Sequence, residues 1–272
     1  MVTSGIVSLI IIVTTCFVSY KGFKSADFFA SLEFETEKIL LYRDYKRLIT
    51  SAFIHVNWQH LIFNMVSLFF FSFGLENFFG PVRFLLLYFI SVLGGNLLAL
   101  FIHRKNPGYS SVGASGAING VIFASIAVFP GMKIFFMPGW VFGLIFILYS
   151  IYGIRSQKEN IGHESHLGGA LAGMLAALLF YPAALAGNTL TIALLMLPTL
   201  AFMIIIVNRP QLLFVDNHWF NHKYNYTVDD RYNLQKKNSQ QEVDRILDKI
   251  NQQGINSLSR RERASLEEYA RK

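Results

Sequence analysis

The chain has 272 residues, of which 53% are hydrophobic, 26 are phenylalanine and only 15% are charged. Its net charge of +7 mostly reflects loops and tail, and attraction to anionic headgroups explains it more simply than nucleic-acid binding. The distribution excludes an ordinary soluble domain, because between Val56 and Ile102 the only formal charges are Glu76 and Arg83.

A hydrocarbon core about 30 Å thick asks for roughly 20 apolar residues per helix. Seven stretches answer to that, at about 5–20, 57–78, 82–102, 110–129, 139–153, 164–181 and 189–207. The first has no basic region before it and no small-residue cleavage site after it, so it is read as a retained span rather than a signal peptide. It holds the single cysteine, Cys16, which leaves no intramolecular disulfide. The loop from Lys21 to Ile54 mixes charges with Phe28, Phe29, Phe34, Tyr42 and Tyr45, a pattern suited to headgroup depth. The fifth stretch is short and could begin near Ile134. No internal repeat is visible, which gives an inverted-repeat transporter no support.

These stretches predict an all-α polytopic membrane protein in three zones. Residues 1–185 form a six-span core, 186–209 an added span after Tyr181-Pro182, and 210–272 a soluble tail. Within the tail, 216–239 reads as an aperiodic linker. Val243, Ile246, Leu247 and Ile250 fall at helical spacing, Gly254 closes that helix, and Ser259-Arg260-Arg261-Glu262 has the form of a capping box opening another. The expected unit is a solvated helical hairpin that binds a partner or ends the chain, with no nucleic acid involved.

The chemistry lies in polar residues set inside apolar runs, where they are costly and therefore usually functional. Ser115 lies in Gly113-Ala114-Ser115-Gly116 and His166 in His166-Leu167-Gly168-Gly169. The second, fourth and sixth spans enter from one side. His60 and Asn64 come early in the second, Ser115 early in the fourth and His166 early in the sixth, so all four are predicted at similar shallow depth. A hydroxyl and an imidazole suffice for nucleophilic catalysis. Ser115 is the expected nucleophile, and His166 the base that later protonates the leaving amine. Asn64, His60 and the Ser115 backbone N–H are the candidate oxyanion donors.

Glu164 stands two residues from His166 and should point elsewhere on a helix, so a dyad is expected rather than a triad. Gly116 with Gly120, and Gly169 with Gly173, make small-residue faces that let helix backbones approach. Ala117 breaks the Gly-x-Ser-x-Gly elbow of soluble hydrolases. His163-Glu164-x-His166 is one residue short of the zincin spacing, so no metal and no cofactor is expected. His55 is read as a structural hydrogen-bonder.

From Arg47 to Tyr181 these residues resemble the rhomboid family of intramembrane serine proteases. The resemblance rests on His55 and His60-Leu61-Ile62-Phe63-Asn64, then Gly74-Leu75-Glu76 with Gly80 and Arg83. Gly113-Ala114-Ser115-Gly116-Ala117 and Gly162-His163-Glu164-Ser165-His166-Leu167-Gly168-Gly169 with Gly173 complete it. It implies a six-helix core with one added span, a Ser–His dyad, no metal, and single-span or polytopic membrane proteins as substrates. A bacterial inner membrane is the expected location.

Two positions depart from the family pattern. Lys46-Arg47 stands where many members have Trp-Arg, and Asn119 replaces an aromatic ring that packs on the catalytic histidine. Asn119 could instead hold His166 by a hydrogen bond. Family resemblance puts the amino terminus in the cytoplasm and the mouth of the site outside, although Lys and Arg cluster on the opposite loops. The expected orientation is the one the resemblance implies.

The expected function is hydrolysis of peptide bonds in or near transmembrane segments, with substrate entering beside the fifth span and the loop 154–163 capping the site. The alternative is a catalytically weak or inactive relative that binds transmembrane segments and controls their traffic.

Overall fold

The computed structural model describes residues 5–156, 162–208 and 243–251, and individual positions from 254 to 269. The predicted linker at 216–239 lies outside the described residues, as do residues 157–161 of the predicted cap loop.

The chain opens with α1 (Ile6–Lys24). Its first turn carries no acidic residue, and its amino-terminal N–H groups would be orphaned in an apolar setting. Glu76 supplies the cap from another helix: its carboxylate accepts from the backbone N–H groups of Val7 and Ser8, both at 2.9 Å, and from the Ser8 hydroxyl. This explains the one acid in the second predicted span, which is 1% exposed.

Short elements follow: α2 (Ala26–Leu32), β1 (Phe34–Glu35), α3 (Thr36–Leu40), α4 (Arg47–Thr50) and a 3-10 turn at Ser51–Phe53. Arg47 ties this loop together. Its guanidinium donates to the carbonyls of Ala30 and Glu33 at 2.7 Å each and to Asp44 at 2.9 Å. The departure at Lys46 therefore leaves the loop anchored through Arg47.

The long helices are α5 (Trp58–Phe79), α6 (Pro81–His103), α7 (Ser115–Val128), α8 (Gly139–Ser156) and α9 (His163–Phe180). β2 (Ser110–Ser111) precedes α7, the hairpin β3 (Lys133–Ile134) and β4 (Met137–Pro138) precedes α8, and α10 (Ala183–Gly187) leads into α11 (Thr189–Asn208). Four of these helices, Ile6–Lys24, Trp58–Phe79, Pro81–His103 and Thr189–Ile206, are long and apolar enough to cross a membrane. Their outward faces carry exposed Phe63, Phe70 and Leu190, a surface suited to acyl chains.

Two boundaries differ from the sequence reading. Residues 110–114 are not helical: Ser110 and Ser111 pair antiparallel with Glu35 and Phe34, and Gly113 takes φ 120°. The helix thus starts at Ser115 itself. The fifth helix does not begin near Ile134, because Ile134 is paired with Met137 in the hairpin.

Glycines set the spacing of α6, α7 and α9. A Cβ on Gly169 would stand 2.0 Å from the Gly116 carbonyl oxygen, and one on Gly173 would stand 2.4 Å from that of Gly120. On the other flank a Cβ on Gly95 would lie 2.5 Å from the Ser165 carbonyl oxygen. The backbones touch, and no side chain fits between them. Tyr88, Phe84, Phe123 and Leu167 fill the space around this contact and are wholly or almost wholly buried.

In the tail, 243–251 is helical and Gly254 ends it at φ 78°, its N–H returning to the Ile250 carbonyl. The capping box is formed: Ser259 N–H donates to Glu262 at 2.8 Å, and Glu262 N–H to the Ser259 hydroxyl at 3.2 Å.

Candidate active site

Ser115 is the first residue of α7, and His166 the fourth of α9. The close backbone contact of the two helices brings the Ser115 Oγ to 2.7 Å from His166 Nε2. With Nε2 as acceptor the hydroxyl donates to it, the arrangement a general base needs. Because Ser115 opens its helix, its backbone N–H and the next two have no acceptor within α7.

His60 and Asn64 reach this point from α5. Asn57 caps that helix, its side-chain oxygen accepting from the His60 N–H at 2.8 Å. The His60 ring packs beside Gly113, where an added Cβ would meet its Cε1 at 2.8 Å. The left-handed backbone and the missing side chain at Gly113 both make room for that imidazole. The Asn64 amide donates to the His60 carbonyl at 2.9 Å. Ser115, His166, His60, Asn64 and Asn119 all line one cavity of about 530 Å3.

Asn119 does not hold the imidazole. Its side-chain amide donates to the Ser115 carbonyl at 2.8 Å, one turn back on the same helix. A phenyl ring beside His166 comes instead from Phe146 of α8, at 6.1 Å between centroids and 37° between planes. Nothing in the sequence singles out this phenylalanine among so many. Gln59 also lines the cavity, next to His60 in the first turn of α5.

His55 is a hydrogen-bonder, as read. It is fully buried, and its Nε2 accepts from the Ala114 N–H at 3.3 Å while Nδ1 faces the Ser19 hydroxyl at 3.0 Å. The imidazole must therefore be neutral with its proton on Nδ1. Ser19 in turn donates to the Phe53 carbonyl at 3.1 Å. This chain of bonds ties α1 to the residue just before Ser115. Burial, and then the neighbouring His60, push the His55 imidazole well below its ordinary 6.5.

Glu164 points away from His166, toward His103 and Tyr109. The rings of His163 and His166 stand 6.1 Å apart at 77°. Among the described residues no three His, Cys, Asp or Glu side chains are grouped as metal ligands.

The profile of the Rhomboid domain family matches residues 42–183, and that of a family of unknown function matches residues 226–272. Among curated proteins, RHOMBOID-like protein 12, mitochondrial, of Arabidopsis thaliana is 31% identical over 152 residues, covering 47% of this chain and 44% of the relative. The Rhomboid protease GluP of Bacillus subtilis is 32% identical over 131 residues, 48% of this chain and 25% of the relative. Inactive RHOMBOID-like protein 8 of Arabidopsis thaliana is 28% identical over 126 residues, 46% of this chain and 35% of the relative. The chain thus spans less than half the length of each of these relatives. One of them is mitochondrial by name, so they support an integral membrane protein and not a bacterial inner membrane in particular.

Proposed function

This chain belongs to the rhomboid family of integral membrane proteins, and on that premise we propose that it is a serine endopeptidase cutting peptide bonds in or near transmembrane segments of other membrane proteins. The observation that carries the reading is the 2.7 Å approach of Ser115 Oγ to His166 Nε2 in a cavity shared with His60 and Asn64.

The Ser115 oxygen attacks the scissile carbonyl carbon while its proton passes to His166 Nε2. The carbonyl oxygen becomes an oxyanion, stabilised by the Ser115 N–H, the His60 imidazole and the Asn64 amide. Collapse breaks the C–N bond, and the imidazolium gives its proton to the leaving amine. Water, deprotonated by His166, then hydrolyses the acyl-enzyme and restores the serine. Donors held in place before charge develops contribute about 3–4 kcal/mol each. Gly113, Gly116 and Gly169 serve by letting the three helices approach.

In this reading residues 1–185 are a six-span catalytic core, 186–209 an added span and 210–272 a separate tail. Purified full-length chain should cleave a model single-span protein in detergent, and its Ser115→Ala variant should not. Wild-type turnover by that variant would end the proposal. A chain ending at Pro210 should keep the full-length rate if the division is right.

A second reading, a weak or inactive relative that binds transmembrane segments, draws on the 28% identity to a relative named as inactive. It predicts substrate binding without turnover in the same assay.

A further inference from the structure

Glu164 is a buried carboxylate, 5% exposed, in the first turn of the helix that carries His166. One of its oxygens, Oε1, accepts two hydrogen bonds. His103 Nε2 donates at 2.5 Å and the Tyr109 hydroxyl at 2.6 Å. The two donor rings stack face to face at 3.6 Å and 5°. His103 is the last residue of α6, and Tyr109 lies in the connection that runs on to the nucleophile. A single oxygen atom thus meets the end of α6, the approach to Ser115 and the start of α9.

The other side of that connection is held as well. The Tyr109 carbonyl accepts from the Thr36 N–H at 3.1 Å, β2 pairs with β1, and the Gly113 N–H reaches the Ser51 carbonyl at 2.9 Å. The connection is pinned to the first loop on one flank and to α9 on the other. Ser115 follows Tyr109 by six positions, and His166 follows Glu164 by two.

We infer that Glu164, Tyr109 and His103 form a positioning unit that sets the Ser115–His166 separation from the side away from the cavity. The inference rests on the dyad proposed above. None of the three touches the reacting atoms, so they act through the placement of the dyad. A purely structural role, stabilising the first turn of α9 by a carboxylate at its amino end, is the competing explanation.

Tyr109→Phe keeps the ring and its stacking but loses the donor, and Glu164→Gln keeps the size but loses the charge. In the full-length chain each should lower kcat on a model single-span substrate by on the order of 100-fold, the cost of misplacing reacting groups by about 1 Å. KM should stay within about twofold, and the rate at which a fluorophosphonate acylates Ser115 should fall by the same factor as kcat. The double variant should be no worse than the worse single one, because the groups act as a unit. Folded variants with wild-type acylation rates, whatever their thermal midpoints, would overturn the inference. So would a rise in KM at unchanged kcat. If Glu164→Gln fails to fold, Tyr109→Phe decides alone. A wild-type chain that neither cleaves nor is acylated would instead sink the protease reading itself, and this inference with it.

Discussion

The side-chain amide of Asn119 donates to the carbonyl of Ser115 at 2.8 Å, so the residue that could have braced the His166 imidazole is turned toward its own helix. Phe146, from α8, is the ring that stands beside the imidazole instead. A one-turn amide-to-carbonyl bond adds to a helix bond already made, and its net worth is about 1 kcal/mol. Asn119→Ala should therefore lower stability by about that much and turnover by only a few-fold. Measured kcat reduced more than about 100-fold, with the fold intact, would mean that Asn119 acts on the imidazole during the reaction.

One N–H of the Asn64 amide rests on the His60 carbonyl at 2.9 Å, and in the proposed mechanism the second N–H is the donor to the oxyanion. Asn64→Ala should slow kcat by about 10–1000-fold at nearly unchanged KM. Steady-state kinetics on a model substrate separate the two constants. A change in KM alone would make Asn64 a substrate-binding residue and remove it from the oxyanion site.

Gly169 has no room for a methyl group, since its Cβ would stand 2.0 Å from the Gly116 carbonyl oxygen. Gly169→Ala must push α9 away from α7 just below the dyad. Overpacking of this kind costs about 1–3 kcal/mol, and separating Ser115 from His166 should reduce turnover on the order of 100-fold. Thermal unfolding and turnover of the folded fraction check the two effects separately. Wild-type activity in a stable Gly169→Ala chain would show that the contact is looser than described.

His55 makes the fold sensitive to acid. In the native state its ring stays neutral because it is buried and faces His60, whereas in the unfolded chain it titrates near its ordinary 6.5. The unfolded state therefore binds a proton that the native state refuses. Stability from this group is complete above about pH 6.5 and is lost as pH falls below it, by up to about 1.4 kcal/mol per unit. His55→Gln, which can still accept from the Ala114 N–H, should show a shallower decline in thermal midpoint from pH 7 to pH 5. Equal slopes in the two chains would remove His55 as the cause.

The grouping of Ser115, His166, His60 and Asn64 around one cavity was legible where local chemistry and helix parity speak together. Ser115 and His166 stand out because a hydroxyl and an imidazole among glycines are costly in apolar runs. His60 and Asn64 follow from their spacing on one helical face, and the capping box at Ser259 and Glu262 from its spacing of three. What was not legible depends on partners far away in the chain. The start of α7 is fixed by strand pairing with Phe34 and Glu35, which lie more than 70 residues earlier. The Glu76 cap on α1 spans 68 or 69 residues, and Glu164 finds Tyr109 and His103 at 55 and 61 residues. Phe146 was hidden for a different reason: an aromatic residue in an apolar helix reads as lipid-facing or core, and only the fold shows which ring it meets.

The most direct measurement is the site of covalent labelling. A fluorophosphonate incubated with the purified full-length chain should place one adduct on Ser115, mapped by mass spectrometry, and the His166→Ala variant should take up almost none. Ser115→Ala should be neither labelled nor able to cleave a single-span substrate. An adduct formed equally fast without His166, or cleavage that persists without Ser115, would contradict the dyad.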